Sequence, residues 1–77
     1  MKEINLNVRV TVQLTETGAS IYNESILDIP SVYRPQKLQT GDEFHTELWD
    51  LMRVFGAKLY LSMGEIPFVN NLIRLIE

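Results

Sequence analysis

The sequence predicts a small α+β domain in which two short helices cover one face of an antiparallel sheet of about three strands. Two observations predict this class. Apolar and polar residues alternate from Ile4 to Leu14, which is typical of a half-buried strand, and apolar residues recur at helical spacing from Leu48 to Phe55. The predicted order is strand, helix, long loop, helix, strand, strand. A sheet covered by helices on one face is the simplest arrangement that buries every apolar stripe.

The length of 77 residues predicts a single domain that spans residues 1–77. A chain this short buries little apolar surface, and association of copies is a common remedy, so we expect a homo-oligomer. The sequence contains no cysteine, which excludes disulfides and thiolate metal sites and is typical of a reducing cytoplasm. It has no run of roughly 18 apolar residues, so we expect neither a membrane span nor a secretion signal.

The first predicted element is a long strand with one face on the core. Its inward residues are Ile4, Leu6, Val8, Val10, Val12 and Leu14. Thr15 is then the expected N-cap of a short helix. The expected buried residues of this helix are Ala19, Ile21, Tyr22 and Ile26. Gly18 lowers helix stability by roughly 1 kcal/mol relative to alanine, so tertiary contacts must hold the helix.

Residues 28–42 are predicted to form a long loop, because periodicity is lost and Pro30, Pro35 and Gly41 interrupt the segment. A loop of about 15 residues in a compact domain is uncommon and is often functional or partly mobile. The aromatic and basic residues of this loop are therefore candidates for binding.

The central helix is predicted from four apolar residues at positions i, i+3, i+4 and i+7, namely Leu48, Leu51, Met52 and Phe55. Thr46 is the expected N-cap, and Gly56 is the expected left-handed residue that ends the helix. Residues 43–46 are compatible with a short extended piece or with the first turn that leads into the helix.

Two strands are expected after the central helix. Apolar and polar residues alternate over residues 57–63, with a turn at residues 64–67. Residues 70–76 are mostly apolar, which predicts a third strand whose two faces are both partly covered.

The sequence offers little catalytic chemistry. His45 lies near Asp42, Glu43 and Glu47, but a single histidine gives no recognised ligand spacing. Glycine-rich phosphate loops and nucleophile motifs are absent from the sequence, so we expect no enzyme, no metal and no cofactor. The net charge of −3 disfavours binding to duplex nucleic acid, which requires a basic surface.

Aromatic and basic residues give a better candidate for a binding site. Aromatic rings stack on bases, and guanidinium or ammonium groups hold phosphates. The candidate ligand-binding residues are Trp49, Arg53, Tyr33, Arg34 and Lys37. The alternative is structural, with Trp49 packed under the long loop and Arg53 lying across its ring.

Several short patterns, spread over nearly the whole chain, resemble a small protein family of phages and prophages of Gram-positive bacteria. They comprise residues 10–18 with Tyr22, Tyr33-Arg34-Pro35, Gly41-Asp42, Leu48-Trp49-Asp50-Leu51-Met52 with Phe55-Gly56, and Ile66-Pro67-Phe68 with Asn70-Asn71. The resemblance implies a virus-encoded accessory protein that acts in the host bacterial cytoplasm and is not a structural part of the virion.

Small phage proteins of this kind are often counter-defence factors, and two mechanisms compete. In the first, the protein sequesters a cyclic-nucleotide alarm signal of the CBASS type at a site between subunits, which requires a symmetric oligomer. In the second, it blocks a host protein and presents an exposed apolar patch or an open strand edge. A transcription regulator ranks last, since neither predicted helix has a basic face.

Overall fold

The computed structural model describes residues 3–58 and 65–76, and its fold is of the predicted α+β class. Helices and strands follow the order β1 (Arg9–Gln13), α1 (Glu16–Ser25), β2 (Glu43–Glu47), α2 (Leu48–Phe55) and β3 (Arg74–Ile76). Short 3₁₀ turns lie at Ile26–Asp28, Gly56–Lys58 and Val69–Asn71. The strands form an antiparallel sheet in the order β2-β1-β3, which makes β1 the central strand.

β1 begins at Arg9 and is shorter than the predicted strand. The prediction that Ile4 and Leu6 face the core is wrong, because both side chains are more than half exposed. The side-chain oxygen of Asn5 accepts a hydrogen bond from the backbone N–H of Asn7 at 2.7 Å. This local bond turns the chain before the strand begins.

β2 occupies the segment for which the sequence left two structures open. Residues Glu43–Glu47 are extended and antiparallel to β1, with Thr46 opposite Val10. The N-cap position of α2 is therefore Glu47, and the predicted Thr46 cap is wrong. The Thr46 hydroxyl instead donates a hydrogen bond to Oδ2 of Asp50 at 2.7 Å.

α1 begins as predicted, since Oγ1 of Thr15 accepts a hydrogen bond from the N–H of Gly18. The same hydroxyl donates to the carbonyl of Ile66 at 2.6 Å, and the Thr15 N–H donates to the carbonyl of Pro67 at 3.0 Å. Residues 66 and 67 therefore pack across the first turn of α1. A Cβ atom at Gly18 would lie 1.9 Å from the Pro67 oxygen, so glycine is required here for close packing.

Both helices cover the same face of the sheet. The buried apolar residues come from β1, the segment after it, both helices, the 3₁₀ turn after α1 and the segment before β3; they are Val10, Val12, Leu14, Ala19, Tyr22, Ile26, Leu51, Phe55 and Phe68. The Phe55 ring lies at the centre of this core. Its centroid is 4.9 Å from the centroid of the Phe68 ring and 6.3 Å from the centroid of the Phe44 ring. The predicted burial of Ala19, Tyr22 and Ile26 is confirmed, and Ile21 is half-buried.

The buried face of α2 differs slightly from the predicted stripe. Leu51 and Phe55 are buried and Leu48 is half-buried, but Met52 is 54% exposed and its predicted core position is wrong. Val54 is half-buried and packs against the core. The face that meets the sheet is thus rotated toward Val54, which turns Met52 to the solvent.

Gly56 continues the helical path of α2. Its φ of −55° and ψ of −43° are right-handed, so the predicted left-handed stop is wrong. The chain passes directly into the 3₁₀ turn Gly56–Lys58 and needs no reversal at this glycine. From residue 59 onward, the predicted strand at residues 57–63 lies outside the described residues.

Among residues 3–58 and 65–76, β3 lies at one edge of the sheet, with Leu75 opposite Val10 of β1. The prediction that both of its faces are partly covered agrees with the exposure of Leu75 on the inner face, 49%, and of Ile76 on the outer face, 41%. None of the buried core residues belongs to β3, so this strand is less covered than the central strand β1. Across residues 3–58 and 65–76, no helix is long and apolar enough to cross a membrane.

Candidate functional site

A groove of about 200 Å³ opens between α1, the long loop, β2 and α2. Its walls include the side chains of Tyr22, Phe44 and Pro35, and Asp50 and Arg53 of α2 supply charged groups. The Tyr22 and Phe44 rings are tilted against each other with centroids 4.8 Å apart. The groove therefore combines aromatic walls with one carboxylate and one guanidinium group.

The two charges of the groove neutralise each other. Nε and Nη2 of Arg53 each lie 2.8 Å from Oδ1 of Asp50, and the pair is spaced i, i+3 along α2. Burial raises the pKa of the Tyr22 hydroxyl, and the Asp50 carboxylate raises this pKa further. Tyr22 is therefore a neutral donor at neutral pH, while the Asp50 carboxylate repels an anion that approaches Arg53.

Arg34, a predicted ligand-binding residue, holds the long loop against the end of α1. Its Nε donates hydrogen bonds to the carbonyls of Ile26 and Ile29 at 3.1 and 3.2 Å. Its Nη2 donates to the carbonyls of Leu27 and Ile29 at 3.1 and 2.9 Å. These bonds satisfy backbone oxygens beyond the helix end, so Arg34 has a structural role.

Asn23 fixes the same loop at a second point. Its side-chain nitrogen donates to the carbonyl of Leu38 at 2.8 Å, and its side-chain oxygen accepts from the Leu38 N–H at 2.9 Å. The sequence analysis missed this residue, and nothing in the local pattern distinguishes it from a solvent-facing asparagine. The Asp50–Arg53 pair was also missed, although its i, i+3 spacing on a helix is a usable signal.

The remaining predicted residues do not join the groove. Trp49 is 46% exposed near the start of α2, where its backbone N–H donates to the carbonyl of Leu6 at 3.0 Å. Tyr33 is 79% exposed, and Lys37 is also exposed. Of the five predicted ligand-binding residues, only Arg53 is among the residues that line the groove.

A second candidate surface is the edge formed by residues 72–76, which we call the β3 edge. Its apolar side chains are exposed by 41–54%, namely Leu72, Ile73, Leu75 and Ile76. Arg74 is its one charged residue. The opposite edge of the sheet, β2, instead carries Glu43, His45 and Glu47. Charged side chains protect sheet edges from pairing with other chains, and the β3 edge has little of this protection.

The His45 region has no geometry suited to a metal. Nε2 of His45 lies 3.5 Å from Oε2 of Glu43, and both side chains are more than half exposed. Within the described part of the chain, no group of three or more histidine or acidic residues could hold a metal ion.

Comparison with protein-family models, curated proteins and solved structures finds no match to this chain. The two surfaces are therefore ranked on their geometry. The groove is smaller than the roughly 300–1,000 Å³ typical of small-molecule pockets. The β3 edge offers four apolar side chains that are each more than 40% exposed, which makes it the stronger candidate.

Proposed function

We propose that this protein is a non-enzymatic binding protein that pairs its β3 edge with an extended segment of another protein and thereby blocks it. The observation that supports this function is the exposure of an apolar strand on both of its faces. In strand addition, backbone hydrogen bonds supply affinity, and side chains that alternate between the faces supply specificity. An exposed edge strand with apolar side chains is suited to this mode of binding.

The charge of the β3 edge indicates the chemistry of its partner. Arg74 shares the outer face of the sheet with Thr11, which lies opposite it. A partner strand that places an acidic residue beside Arg74 gains a complementary charge, while apolar residues at neighbouring positions pack against Leu75 and Ile76. We therefore expect the partner segment to be apolar with one acidic residue.

A second copy of the chain is the competing occupant. The β2 edge carries Glu43 and Glu47, so it offers acidic residues that could face Arg74. Contact from the β3 edge to the β2 edge of another copy is head-to-tail, however, and propagates into an open fibre unless its rotation closes a ring. We therefore assign the β3 edge to a different protein. The molar mass in solution tests the expected homo-oligomer separately.

The resemblance to phage and prophage proteins supports a biological setting for this activity. In that setting the chain acts in the host bacterial cytoplasm, and its partner is a bacterial defence protein or enzyme. Blocking requires no catalytic residue, since pairing of the β3 edge with the partner's extended segment is enough to obstruct that segment.

We expect Leu75→Lys to weaken partner binding by at least about tenfold, because it places a charge in an apolar contact. The partner is first captured from host extract with the wild-type chain and identified, and binding is then measured with purified proteins. Leu27→Lys is the matched control, since Leu27 is 54% exposed on the 3₁₀ turn after α1, compared with 49% for Leu75. Equal binding by both variants would contradict the proposal.

Sequestration of a cyclic nucleotide is the second candidate, and the observation that favours it is Arg53 beside the aromatic walls of the groove. Micromolar affinity requires about −8 kcal/mol. Stacking supplies roughly 1–3 kcal/mol per base and a charged hydrogen bond roughly 1.5–3 kcal/mol, before the entropy cost of association. One small groove is insufficient on these figures, so this function requires two subunits around one ligand.

A panel of cyclic dinucleotides separates the two functions. The β3 proposal predicts no shift in melting temperature at ligand concentrations far above micromolar. Sequestration predicts a clear shift that Arg53→Ala abolishes and that Arg9→Ala, a change at an exposed arginine of β1, leaves intact. If the chain is dimeric in solution and the shift is lost in Arg53→Ala but kept in Arg9→Ala, sequestration replaces the β3 edge as the proposed function.

A further inference from the structure

β1 and the segment before β3 separate beyond Thr11. The ladder pairs Thr11 with Arg74, and the next contact along the strand is the bridge between Leu14 and Phe68. Residues 69–73 therefore lie opposite only two residues of β1 and bulge away from them. Asn70 and Asn71 form the bulge with positive φ angles of 56° and 57°. The separation leaves a pocket of about 40 Å³.

Thr11 has an unsatisfied hydroxyl group at this pocket. The residue lines the pocket and is only 9% exposed, and its Oγ1 has no hydrogen-bond partner among the described residues. A buried hydroxyl without a partner is costly, so such a group usually faces an ordered water or a ligand. The pocket is large enough for one water or for one small polar group.

The charged residues of the pocket favour a neutral ligand. Arg74 and Glu43 both line it and carry opposite charges, and Asn70 adds a side-chain amide. The side-chain nitrogen of Gln13 uses one of its two hydrogens in a bond to the carbonyl of Gly41 at 3.2 Å. Glu43 would repel a carboxylate, and Arg74 would repel an ammonium group. A carboxamide avoids both repulsions, because its oxygen can accept a hydrogen bond from Arg74 and its nitrogen can donate one to Glu43.

We propose that this pocket binds a carboxamide group, as carried by the asparagine or glutamine side chain of a partner protein. Arg74 would donate to the carbonyl oxygen, Glu43 would accept from the amide nitrogen, and Thr11 would supply the third hydrogen bond. The pocket shares Leu72 and Arg74 with the β3 edge, whereas Leu75, which lies opposite Val10, does not line it.

The test is titration of the isotopically labelled chain with acetamide, monitored by NMR. We expect saturable shifts of the Arg74 Nε–H and the Asn70 side-chain amide, with weaker effects of acetate and methylammonium at equal concentration. Thr11→Val, which keeps the side-chain shape without the hydroxyl, should weaken acetamide binding about tenfold. The melting temperature of Thr11→Val should be no lower than that of wild type, because the substitution removes a buried hydroxyl that has no hydrogen-bond partner.

Two further variants test the pocket independently of Thr11→Val and of the β3 edge. Arg74→Gln should weaken the acetamide response even if Thr11→Val fails to fold. Leu75→Lys should leave this response unchanged, which separates the pocket from the proposed function of the β3 edge. The absence of saturable shifts, an equal response in Thr11→Val, or an ordered water that acetamide does not displace would each overturn the proposal.

Discussion

Phe55→Ala is expected to lower the free energy of unfolding by about 3–5 kcal/mol, because it removes a buried ring and leaves a cavity. Phe55 is fully buried, and its ring contacts the Phe68 ring edge-to-face at 4.9 Å. Small domains have total stabilities toward the low end of about 5–15 kcal/mol. The variant should therefore be largely unfolded near physiological temperature.

Met52→Ala is the matched control on the same helix. Met52 is 54% exposed, so its truncation should cost less than about 1 kcal/mol. Denaturant unfolding of both variants gives the comparison. A loss below about 1 kcal/mol for Phe55→Ala, or equal losses for the two, would show that α2 presents a different face to the sheet.

Gly18→Ala is expected to lower the free energy of unfolding by at least about 2 kcal/mol. In a helix without such packing, the same substitution usually raises the free energy of unfolding by about 1 kcal/mol. The new Cβ would lie 1.9 Å from the carbonyl oxygen of Pro67 and 3.2 Å from Cδ2 of Leu14. The segment at Ile66 and Pro67 must move away, which breaks both of its hydrogen bonds with Thr15. The adjacent Phe68 would then lose its position in the core.

Gly56→Ala is the control, and its expected effect on stability is opposite to that of Gly18→Ala. Gly56 has right-handed helical angles, and a Cβ atom there meets nothing within 4 Å. The substitution should stabilise the chain by about 0.5–1 kcal/mol through reduced backbone entropy in the unfolded state. The melting temperatures of the two variants test this difference. A higher melting temperature for Gly18→Ala than for wild type would contradict the observed packing of Pro67.

Short-range patterns predicted much of this fold. The alternation over Val10, Val12 and Leu14 correctly predicted a strand with these residues in the core, because a half-buried strand places every second residue there. Thr15 was correctly predicted as a helix cap, since capping depends on residues a few positions apart. Leu51 and Phe55 were correctly placed in the core by helical periodicity.

Features that depend on distant residues were missed or, as at β2, left open between two structures. β2 contains two glutamates and a histidine, and only its pairing with β1 makes it a strand. The requirement for Gly18 comes from Pro67, which is 49 positions away in the sequence. The role of Arg34 depends on carbonyls exposed where the helical segment ends. Tertiary contacts determine all three, and local propensity does not report them.

The candidate site was hard to predict for a related reason. The apolar composition of residues 70–76 predicted a strand with both faces partly covered, but composition does not reveal which strand lies at a sheet edge. Leu75 shares its face with the buried Val10 and is still 49% exposed. The residues that chemistry favoured, such as Arg34 and Arg53, have partners within the chain.

Amide hydrogen exchange at Arg74–Ile76 tests most directly the claim that the β3 edge is the binding surface. It is measured in the free chain and in the complex with the partner whose binding Leu75→Lys weakens. We expect the amides that point away from β1 to exchange rapidly in the free chain and to be strongly protected in the complex, with β2 unchanged. Unchanged exchange in β3, together with new protection around Arg53 in α2, would contradict the claim.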